Sequence, residues 1–412
     1  MAAHRGLPGA AVALLSVFLA IAIIYLSEQG LSADGPALAT SWAAAPPAAA
    51  RLNNSLAPSA PGPPAGGAVD GNARAAAVAA CRSFACLRAA HKLPAGAARF
   101  NFPHAMIVGF PKCATTSLYA YLAAHPQAIA SQPKEPNYFM RCRNAPNATA
   151  AAAAAAACPG GEADYLQRAM KLDEAALVHK LKKAAFEGST VYSTGKKGFV
   201  TAEAIAADLR RELPWLKLVM AVREPMTQAF SGRVHTASYL SRPRDKWPPW
   251  FTLQNHDACL LRFAAGNATM GRCVLEFVEA GMSRNTFLLK QWMGQWPREQ
   301  LHVMQYENFT GPAAAAGPLS DLQLFLGLDP SLAPRELPRE HARRDAHPEG
   351  WPIKKGELER LLALIRPEAE STAAELERRG YTRAEHWLAP WRRIWKAALA
   401  TCSPGGDCRV VL

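Results

Sequence analysis

Three runs of mostly apolar residues follow residue 100, at 104–109, 215–222 and 301–307. Runs of this length are typical of strands that are buried on both faces in a parallel sheet. Helical patterns lie between them, for example at 202–211 and 287–296. Strands that alternate with helices predict an α/β fold, a three-layer sandwich in which helices flank a mostly parallel central sheet.

A fourth apolar run, 7–26, contains no charged residue and is long enough to span a bilayer as one helix. His4 and Arg5 precede it, which favours a cytoplasmic N-terminus. A cleaved signal peptide is the alternative, but its apolar core usually has only about 7–15 residues. We therefore predict a cytoplasmic tail at 1–6, a transmembrane signal anchor at 7–26 and a lumenal remainder, the topology of a single-pass type II membrane protein.

Residues 27–100 are rich in alanine, proline and glycine and contain few large apolar side chains. Such a composition does not offset the entropy of ordering the chain, so it predicts a flexible lumenal stem. The folded domain is then expected at 101–412, with a low-complexity, alanine-rich insertion near 145–160.

The formal net charge is +13, from 46 Lys and Arg against 33 Asp and Glu. This balance suits an acidic partner such as a nucleotide, a sulfated or uronic-acid glycan, or nucleic acid. N-x-S/T sequons agree with a lumenal location and predict glycosylation. They lie at Asn53, Asn147, Asn267 and Asn308.

The loop after the first predicted strand combines Lys112 with the consecutive hydroxyls of Thr115, Thr116 and Ser117 at the start of a helix. Helix-start N–H groups and the helix dipole favour an anion, and the lysine adds a full charge, so the pattern predicts a phosphate site. An ordinary P-loop, G-x-x-x-x-G-K-[S/T], places its Lys directly before the helix. Lys112 comes earlier, and no pattern of Mg²⁺ ligands is evident, which argues against an ATPase or GTPase.

The segment 109–122, GFPKCATTSLYAYL, resembles the 5′-phosphosulfate-binding loop P-K-x-G-T-T-x-L of the sulfotransferases that use PAPS (3′-phosphoadenosine 5′-phosphosulfate). The resemblance implies a P-loop-like sandwich, PAPS as co-substrate, and Lys112 between the 5′-phosphate and the transferred sulfate. The donor-binding residues that it implies are Lys112, Cys113, Ala114, Thr115, Thr116 and Ser117. Ala114 stands where the family usually has glycine. The methyl group of Ala114 fits if the φ of this residue is negative. Alanine therefore restricts the backbone conformations that the loop can adopt but does not exclude a phosphosulfate site.

The segment 223–231, REPMTQAFS, resembles the family's R-[N/D]-P-x-x-R-x-x-S element, in which the Arg and the Ser bind the 3′-phosphate. Arg223 follows the second predicted strand, Pro225 begins a helix, and Ser231 lies about two turns along it. A guanidinium and a hydroxyl in these positions can hold one phosphate. Gln228 replaces the family's second basic residue, which predicts a weaker peripheral contact.

The segment 132–139, QPKEPNYF, resembles the K-E-x-x-[F/Y/W]-[F/W] segment of the Golgi carbohydrate sulfotransferases. Its K-E-P form is most similar to enzymes that act on N-acetylgalactosamine in chondroitin-type chains, and in the heparan-type enzymes the glutamate of this segment is the base. Chondroitin-like, heparan-like and other sulfated polysaccharides therefore all stay open as acceptors. The resemblance implies a Golgi membrane protein with an acidic or sulfated polysaccharide as acceptor. It also implies that Glu135 deprotonates the acceptor hydroxyl and that Lys112 stabilises the leaving group.

Other residues are candidates for the catalytic base or for binding the acceptor. Glu135 is alternatively an exposed carboxylate paired with Lys134, and the rival bases are His125, His235 and Glu187. The run 188–193 resembles the family's strand with an S-P-x-Y ending, which implies that Tyr192 lines the acceptor cleft. Basic residues that suit an acidic acceptor, or equally a solvated surface, are Lys134, Arg141, Arg143 and Arg233.

Cys113 lies in the phosphate loop, where a disulfide would distort the backbone, so we expect it to be free. Among the other cysteines, Cys142–Cys158 and Cys259–Cys273 are plausible local bridges, but spacing leaves the full connectivity open. The sequence has no CxxC pair and no paired His, so no metal site is expected.

The resemblance covers about 104–330 and predicts an enzyme, a PAPS-dependent carbohydrate O-sulfotransferase that releases adenosine 3′,5′-bisphosphate (PAP). No nucleic-acid partner is expected. Two alternatives stay open. A nucleotide kinase or NTPase would share the P-loop-like architecture, and a non-catalytic Golgi glycan-binding protein would keep a basic cleft without turnover.

Overall fold

The computed structural model describes residues 73–93, 100–143, 152, 155–156, 158–177, 184–195, 200–247, 257–281, 284–311, 317–338 and 347–412. The predicted anchor at 7–26 and the sequons at Asn53 and Asn147 lie outside these residues. Among the described helices, none combines the length and the apolar character that crossing a membrane requires.

The central sheet consists of five parallel strands. Their bounds are Ala105–Gly109 (β1), Ala128–Ala130 (β2), Ala184–Glu187 (β3), Lys217–Val222 (β4) and Leu301–Gln305 (β5). The order across the sheet is β2-β3-β1-β4-β5. β1 is buried throughout and β4 is buried after its first residue, as their continuous apolar runs predict. The predicted α/β fold with a mostly parallel sheet is confirmed.

Helices connect and flank these strands. In chain order they are Ala73–Ala79 (α1), Phe84–Ala90 (α2), Thr115–Ala123 (α3), Gly161–Asp164 (α4), Leu172–Leu177 (α5), Ala202–Glu212 (α6), Pro225–Leu240 (α7), Ala258–Ala264 (α8), Met270–Glu279 (α9), Asn285–Gln295 (α10), Tyr306–Phe309 (α11), Pro318–Leu326 (α12), Lys355–Arg378 (α13) and Ala384–Ala400 (α14). The helices predicted at 202–211 and 287–296 are observed as α6 and α10. An antiparallel pair of strands, β6 (Trp351–Lys354) and β7 (Asp407–Val410), lies near the C-terminus.

Two strands of the sheet, β2 and β3, have no clear signal in the sequence. They are three and four residues long and consist largely of alanine, which has a low strand propensity. The run 188–193, which resembles a strand of the family, begins only after β3 has ended at Glu187. Residues Thr190–Ser193 instead form a 3₁₀ turn at the end of that strand.

The folded part of the chain begins before residue 101, because α1 and α2 lie within the range predicted to be a stem. Phe84 packs against Phe139, with ring centroids 5.3 Å apart. Arg88 forms an ion pair with Glu212 at the end of α6. The ring of His91 stacks on Trp215 at 3.5 Å. These contacts attach the segment 73–93 to the domain, so any stem within the chain ends before residue 73.

Disulfide bonds close four local loops in the described residues. They join Cys81–Cys86, Cys142–Cys158, Cys259–Cys273 and Cys402–Cys408. The two predicted bridges are therefore confirmed, and Cys113 is free and buried, as predicted. Cys142 and Cys158, which are 16 residues apart in the chain, are joined with a Cα–Cα distance of 5.9 Å.

Polar residues collect at the carboxyl ends of the strands. The predicted phosphate loop follows β1, Glu187 ends β3, Arg223 follows β4 and Tyr306 follows β5. β1 lies between β3 and β4, so the chain changes direction across the sheet at β1. Ligands of open α/β sheets bind outside the carboxyl ends of the strands at such a switch point.

Candidate active site

The loop between β1 and α3 contains two left-handed residues, Lys112 at φ 67° and Ala114 at φ 53°. A left-handed residue directly before a right-handed helix turns successive N–H groups towards one side, which creates a concavity for an anion. Ala114 is the N-cap residue of α3 and has no side-chain oxygen that could bond to those N–H groups. The loop therefore fits a phosphate group.

Ala114 was expected to fit this loop with a negative φ, and this expectation is wrong. A negative φ would have accommodated its methyl group without strain, whereas the observed φ is positive. A left-handed backbone costs a residue other than glycine roughly 1–2 kcal/mol. Glycine would adopt this φ without strain, so the contacts that surround Ala114 must impose the conformation on this chain.

Side chains of the loop differ in their exposure. Lys112 and Thr116 are half-buried, whereas Thr115 and Ser117 are buried. Burial raises the pKa of the Cys113 thiol above its usual range, despite the nearby positive charge of Arg223. Cys113 is thus a neutral, buried packing residue, and the positive charge of the loop belongs to Lys112.

Gly109 ends β1 beside the turn Thr190–Ser193. A Cβ atom at Gly109 would lie 2.1 Å from Oγ of Ser193 and 3.3 Å from the carbonyl oxygen of Thr190. Real atoms do not approach so closely, so the position requires glycine. The turn after β3 therefore packs directly against the start of the phosphate loop.

Arg223 is buried at the end of β4 and contacts the phosphate loop directly. Its Nη1 donates to the backbone carbonyl of Lys112 at 3.2 Å, and its Nε donates to Oγ1 of Thr227 at 3.1 Å. The guanidinium also lies over the ring of Tyr306, 4.3 Å from the centroid. The two elements that were predicted to bind phosphate are thus in direct contact, and three contacts fix the plane of the guanidinium.

Gln228, which stands where the resemblance predicts a basic residue, forms hydrogen bonds that join separate elements of the fold. Its Nε2 donates to the carbonyl of Pro111 at 3.0 Å, and its Oε1 accepts from Nδ2 of Asn285 at 2.7 Å. Gln228 thereby links the phosphate loop to α7 and α10. Ser231 lies one turn further along α7, with its side chain partly exposed.

Glu135 follows β2 and is held by two side chains. Its Oε1 lies 2.5 Å from Nζ of Lys134, and it accepts a hydrogen bond from Oγ1 of Thr190 at 3.3 Å. About a third of the Glu135 side chain is exposed, at 34%, so a ligand can reach the carboxylate. Thr190 belongs to the turn that packs on Gly109, so one turn contacts both the carboxylate and the phosphate loop. The predicted pairing with Lys134 is also present.

Gly188 lies between Lys134 and α3, the helix that follows the predicted phosphate loop. Gly188 follows β3, and a Cβ atom there would lie 3.1 Å from the ring of Tyr119 and 3.5 Å from Cε of Lys134. Tyr119 belongs to α3, directly behind the hydroxyl residues of the loop. The backbone N–H of Gly188 also donates to the carbonyl of Lys134 at 2.9 Å. The segment that carries Lys134 and Glu135 therefore lies beside α3.

Glu187 and Tyr192 are both completely buried, so the structure does not place Tyr192 in an open acceptor cleft. The hydroxyl of Tyr192 accepts from the backbone N–H of Phe139 and contacts Glu187 Oε1 at 3.3 Å. Glu187 also accepts from Tyr165 at 2.9 Å and from Ser189. Burial raises the pKa of Glu187 to about 7, although these hydroxyls lower it, and the charge of Glu135 raises it further.

Two of the predicted acceptor-side arginines instead form internal ion pairs. Arg233 is buried, pairs with Asp257 and lies over the ring of Phe277, 4.1 Å from the centroid. This placement gives Arg233 a packing role in place of the predicted acceptor contact.

The side chain of Arg143 is surrounded by three carboxylates. It pairs with Glu162, with Asp208 at 3.0 Å and with Glu212 at 2.6 Å. Arg143 therefore stabilises the domain where α4 and α6 meet, whereas Arg141 is exposed and available to an acidic ligand.

The rival histidine bases have other partners. His125 is buried, accepts from the backbone N–H of Gln127 through Nδ1 and contacts the carbonyl of Asp329 through Nε2. His235 contacts the hydroxyl of Tyr239 at 3.2 Å, one turn along α7. His125 is thus held inside the fold, whereas His235 is half-buried on α7 and the side chain of Glu135 is partly exposed.

Several site residues were missed by the sequence analysis, namely Thr190, Thr227 and Asn285. Each acts on another side chain through a hydrogen bond, a role that leaves no motif. Tyr306, which directly follows β5, was also not identified as a site residue from the sequence. The rule that ligands bind at the carboxyl ends of strands would have found it.

Over the described ranges, no group of three or more His, Cys, Asp or Glu residues is arranged to hold a metal ion. Asn267 and Asn308, the two described sequon asparagines, are exposed. Their exposure is compatible with glycosylation.

A model of the sulfotransferase family matches residues 103–329, just over half of the 412 residues. The chain therefore belongs to the sulfotransferase family. Enzymes of this family transfer a sulfuryl group, generally from PAPS, so membership implies sites for PAPS or PAP and for an acceptor. A search of curated proteins gave no match.

Among solved structures, the chain is similar to a sulfotransferase from Alicyclobacillus acidocaldarius, with 20% identity, coverage of 71% of this chain and 99% of the other, and a TM-score of 0.41. It is also similar to the sulfotransferase domain of the curacin biosynthetic pathway, with 15% identity, coverage of 59% and 82%, and a TM-score of 0.29. A third similar structure is the sulfotransferase domain of the Synechococcus PCC 7002 olefin synthase, with 15% identity, coverage of 56% and 74%, and a TM-score of 0.28.

Proposed function

We propose that this sulfotransferase moves a sulfuryl group from PAPS to a hydroxyl of an acidic, glycosaminoglycan-like polysaccharide and releases PAP. The observation that carries the proposal is the turn Thr190–Ser193. Its Thr190 holds the carboxylate of Glu135, and its Ser193 packs against Gly109 at the start of the phosphate loop. Because one turn contacts both the base and the donor loop, a hydroxyl that Glu135 deprotonates can attack the sulfate of a donor bound at that loop.

The donor side is supported by the loop 112–117 and by Arg223. Backbone N–H groups of Cys113 and Ala114, with Thr115, Thr116 and Ser117, bind the 5′-phosphate at the start of α3. Arg223 and Ser231 bind the 3′-phosphate. Lys112 neutralises the negative charge that develops on the bridging oxygen when the sulfur–oxygen bond breaks.

On the acceptor side, Glu135 takes the proton from the attacking hydroxyl. A new bond forms between the acceptor oxygen and sulfur while the bond from sulfur to the phosphate oxygen breaks, and PAP leaves with the electron pair. Lys134 and Thr190 orient the carboxylate through Oε1. Lys134 thereby also supplies positive charge next to an acidic acceptor, to which the exposed Arg141 contributes.

A Golgi membrane location is part of the proposal. The apolar run 7–26 would anchor the chain with its N-terminus in the cytoplasm and the enzyme in the lumen. The disulfide bonds of the described domain are typical of an oxidising compartment. Exposed Asn267 and Asn308 agree with that location, and the net charge of +13 suits a polyanionic acceptor.

The test is transfer of labelled sulfate from PAPS to a panel of chondroitin, dermatan and heparan chains, by the wild type and Glu135→Gln. A general base typically contributes about 10²–10⁴-fold, so the variant should lose that much kcat while its affinity for PAP is retained. Glu174→Gln, an exposed carboxylate on α5, is the matched control and should be unaffected. Full activity of Glu135→Gln would show that another group is the base. Failure of the wild type on every glycan, with PAP still bound, would contradict the proposed acceptor.

A further inference from the structure

The C-terminal helix α14 reaches the donor site through two tryptophans, although it lies beyond the region 103–329 that matches the family. Trp391 and Trp395 are four residues apart and therefore lie on one face of the helix. Both are buried. The indole N–H of Trp395 donates to Glu224 Oε1 at 2.7 Å, and that of Trp391 donates to Glu307 Oε2 at 3.0 Å.

The two carboxylates that accept these bonds are themselves connected. The backbone N–H of Glu224 donates to Glu307 Oε1 at 2.8 Å. Glu224 also caps α7, because its carboxylate accepts from the backbone N–H groups of Met226 at 2.8 Å and Thr227 at 2.7 Å. Burial raises the pKa of both glutamates, against the hydrogen bonds that lower it. Loss of one hydrogen-bond donor leaves a buried carboxyl group partly unsatisfied, which costs free energy, so each of these bonds helps to fix the positions of the two glutamates.

Each glutamate lies next to a residue that orients Arg223. Glu224 directly follows Arg223, and the helix that it caps carries Thr227, whose Oγ1 accepts from Arg223 Nε. Glu307 directly follows Tyr306, whose ring lies under the guanidinium. The hydrogen bonds from α14 therefore end on two segments that contact Arg223. One contains Tyr306, which packs against the face of the guanidinium, and the other contains Thr227, which accepts from its Nε.

We propose that Trp391 and Trp395 are positioning residues of the donor site, which act through Glu307 and Glu224 to hold Arg223 in the orientation that binds the 3′-phosphate. The inference rests on the proposed function, in which Arg223 is the 3′-phosphate ligand. It assigns to α14, and to the segment outside the family match, a part in donor recognition.

The test compares the affinities of the full chain for PAP and for 5′-AMP, which lacks the 3′-phosphate, by calorimetry. Trp391→Phe and Trp395→Phe keep an aromatic ring but remove the N–H donor. Trp387→Phe is the matched control, since Trp387 is buried on the same helix and its Nε1 has no hydrogen-bond partner among the described residues. The thermal unfolding of every variant is measured in parallel.

We expect Trp391→Phe and Trp395→Phe each to weaken PAP binding about tenfold, which corresponds to 1.4 kcal/mol. The affinity for 5′-AMP should stay within about twofold, and Trp387→Phe should change neither. Unchanged PAP affinity would overturn the inference, as would an equal loss for PAP and 5′-AMP, since an equal loss indicates a general structural effect. If a tryptophan variant does not fold, Glu224→Gln is measured instead, with the same expected selectivity.

Arg223→Ala separates this inference from the function on which it rests. If Arg223→Ala loses PAP affinity and the tryptophan variants do not, only the role of α14 is wrong. If Arg223→Ala binds PAP as tightly as the wild type, the assignment of the 3′-phosphate site is wrong, and the inference falls with it.

Discussion

Arg223 donates a hydrogen bond from Nη1 to the backbone carbonyl of Lys112 at 3.2 Å. This bond joins two motifs that are 111 residues apart in the chain, the loop after β1 and the start of α7. A phosphate-binding loop and a phosphate-binding arginine are weak signals separately. Their direct contact is what the proposed function requires, in which the two motifs bind the two phosphate ends of one nucleotide.

Arg223→Lys should weaken binding of PAP by about tenfold or more, because lysine lacks the planar fork that reaches Lys112 and Thr227 together and that stacks on Tyr306. Affinity for PAP is measured by calorimetry, with Arg392→Lys, an exposed residue of α14, as control. Retained affinity in Arg223→Lys would show that only the charge of this residue is needed.

Ala114→Gly should stabilise the protein, because glycine adopts the observed positive φ without strain. The relief of roughly 1–2 kcal/mol exceeds the extra entropy of glycine in the unfolded chain, roughly 0.4–1 kcal/mol, so a net gain of about 1 kcal/mol is expected in denaturant unfolding. Ala124→Gly is the control, since Ala124 is exposed with φ at −78° and should show no gain. A loss of stability in Ala114→Gly would mean that the methyl group packs favourably enough to outweigh the strain.

The buried carboxyl of Glu187 should make stability depend on pH. Its pKa is about 7 in the folded protein against 4.5 ordinarily, so between these values the folded state keeps a proton that the unfolded state has lost. Stability from this group is therefore present below about pH 4.5 and is lost as pH rises to about 7.

Glu187→Gln carries no such proton, so its stability relative to the wild type should rise across this range, by on the order of 2–3 kcal/mol. Urea unfolding at pH 5, 6, 7 and 8 measures the difference between the two proteins. Parallel pH curves for wild type and Glu187→Gln would contradict a raised pKa.

Arg143→Met should destabilise the domain strongly, whereas Arg141→Met should not. Arg143 is enclosed by Glu162, Asp208 and Glu212, so its removal leaves buried negative charge without compensation, at a cost of about 3 kcal/mol. Arg141 lies two residues away and is exposed. Arg88 also pairs with Glu212, and Arg211 pairs with Asp208 and Glu212. Equal stabilities of the two variants in urea would show that these two arginines compensate for the loss.

The sequence was sufficient for those parts of the fold and site that depend on local pattern. The apolar runs of β1, β4 and β5 predicted strands, and the motifs at their ends predicted the polar residues that meet there. β2 and β3 escaped prediction because short, alanine-rich strands take their stability from neighbours in the sheet.

Positions of side chains were harder to predict than their chemistry. Tyr192 and Arg233 were expected to face the acceptor, but both are buried, with Glu187 and Asp257 as partners. A sequence shows which groups need a partner but not which distant residue supplies it. For the same reason, the contribution of α14 to the surroundings of Arg223 was invisible before the fold was known.

The affinity for PAP relative to ATP, measured by calorimetry with and without Mg²⁺, tests directly whether this site binds the sulfate donor. We expect PAP to bind more tightly than ATP by about tenfold or more, because Arg223 adds a contact to the 3′-phosphate, and we expect Mg²⁺ to have no effect. Lys112→Ala should weaken PAP binding. Tighter binding of ATP with a requirement for Mg²⁺ would mean that the site does not bind PAPS and would favour a nucleotide kinase or NTPase.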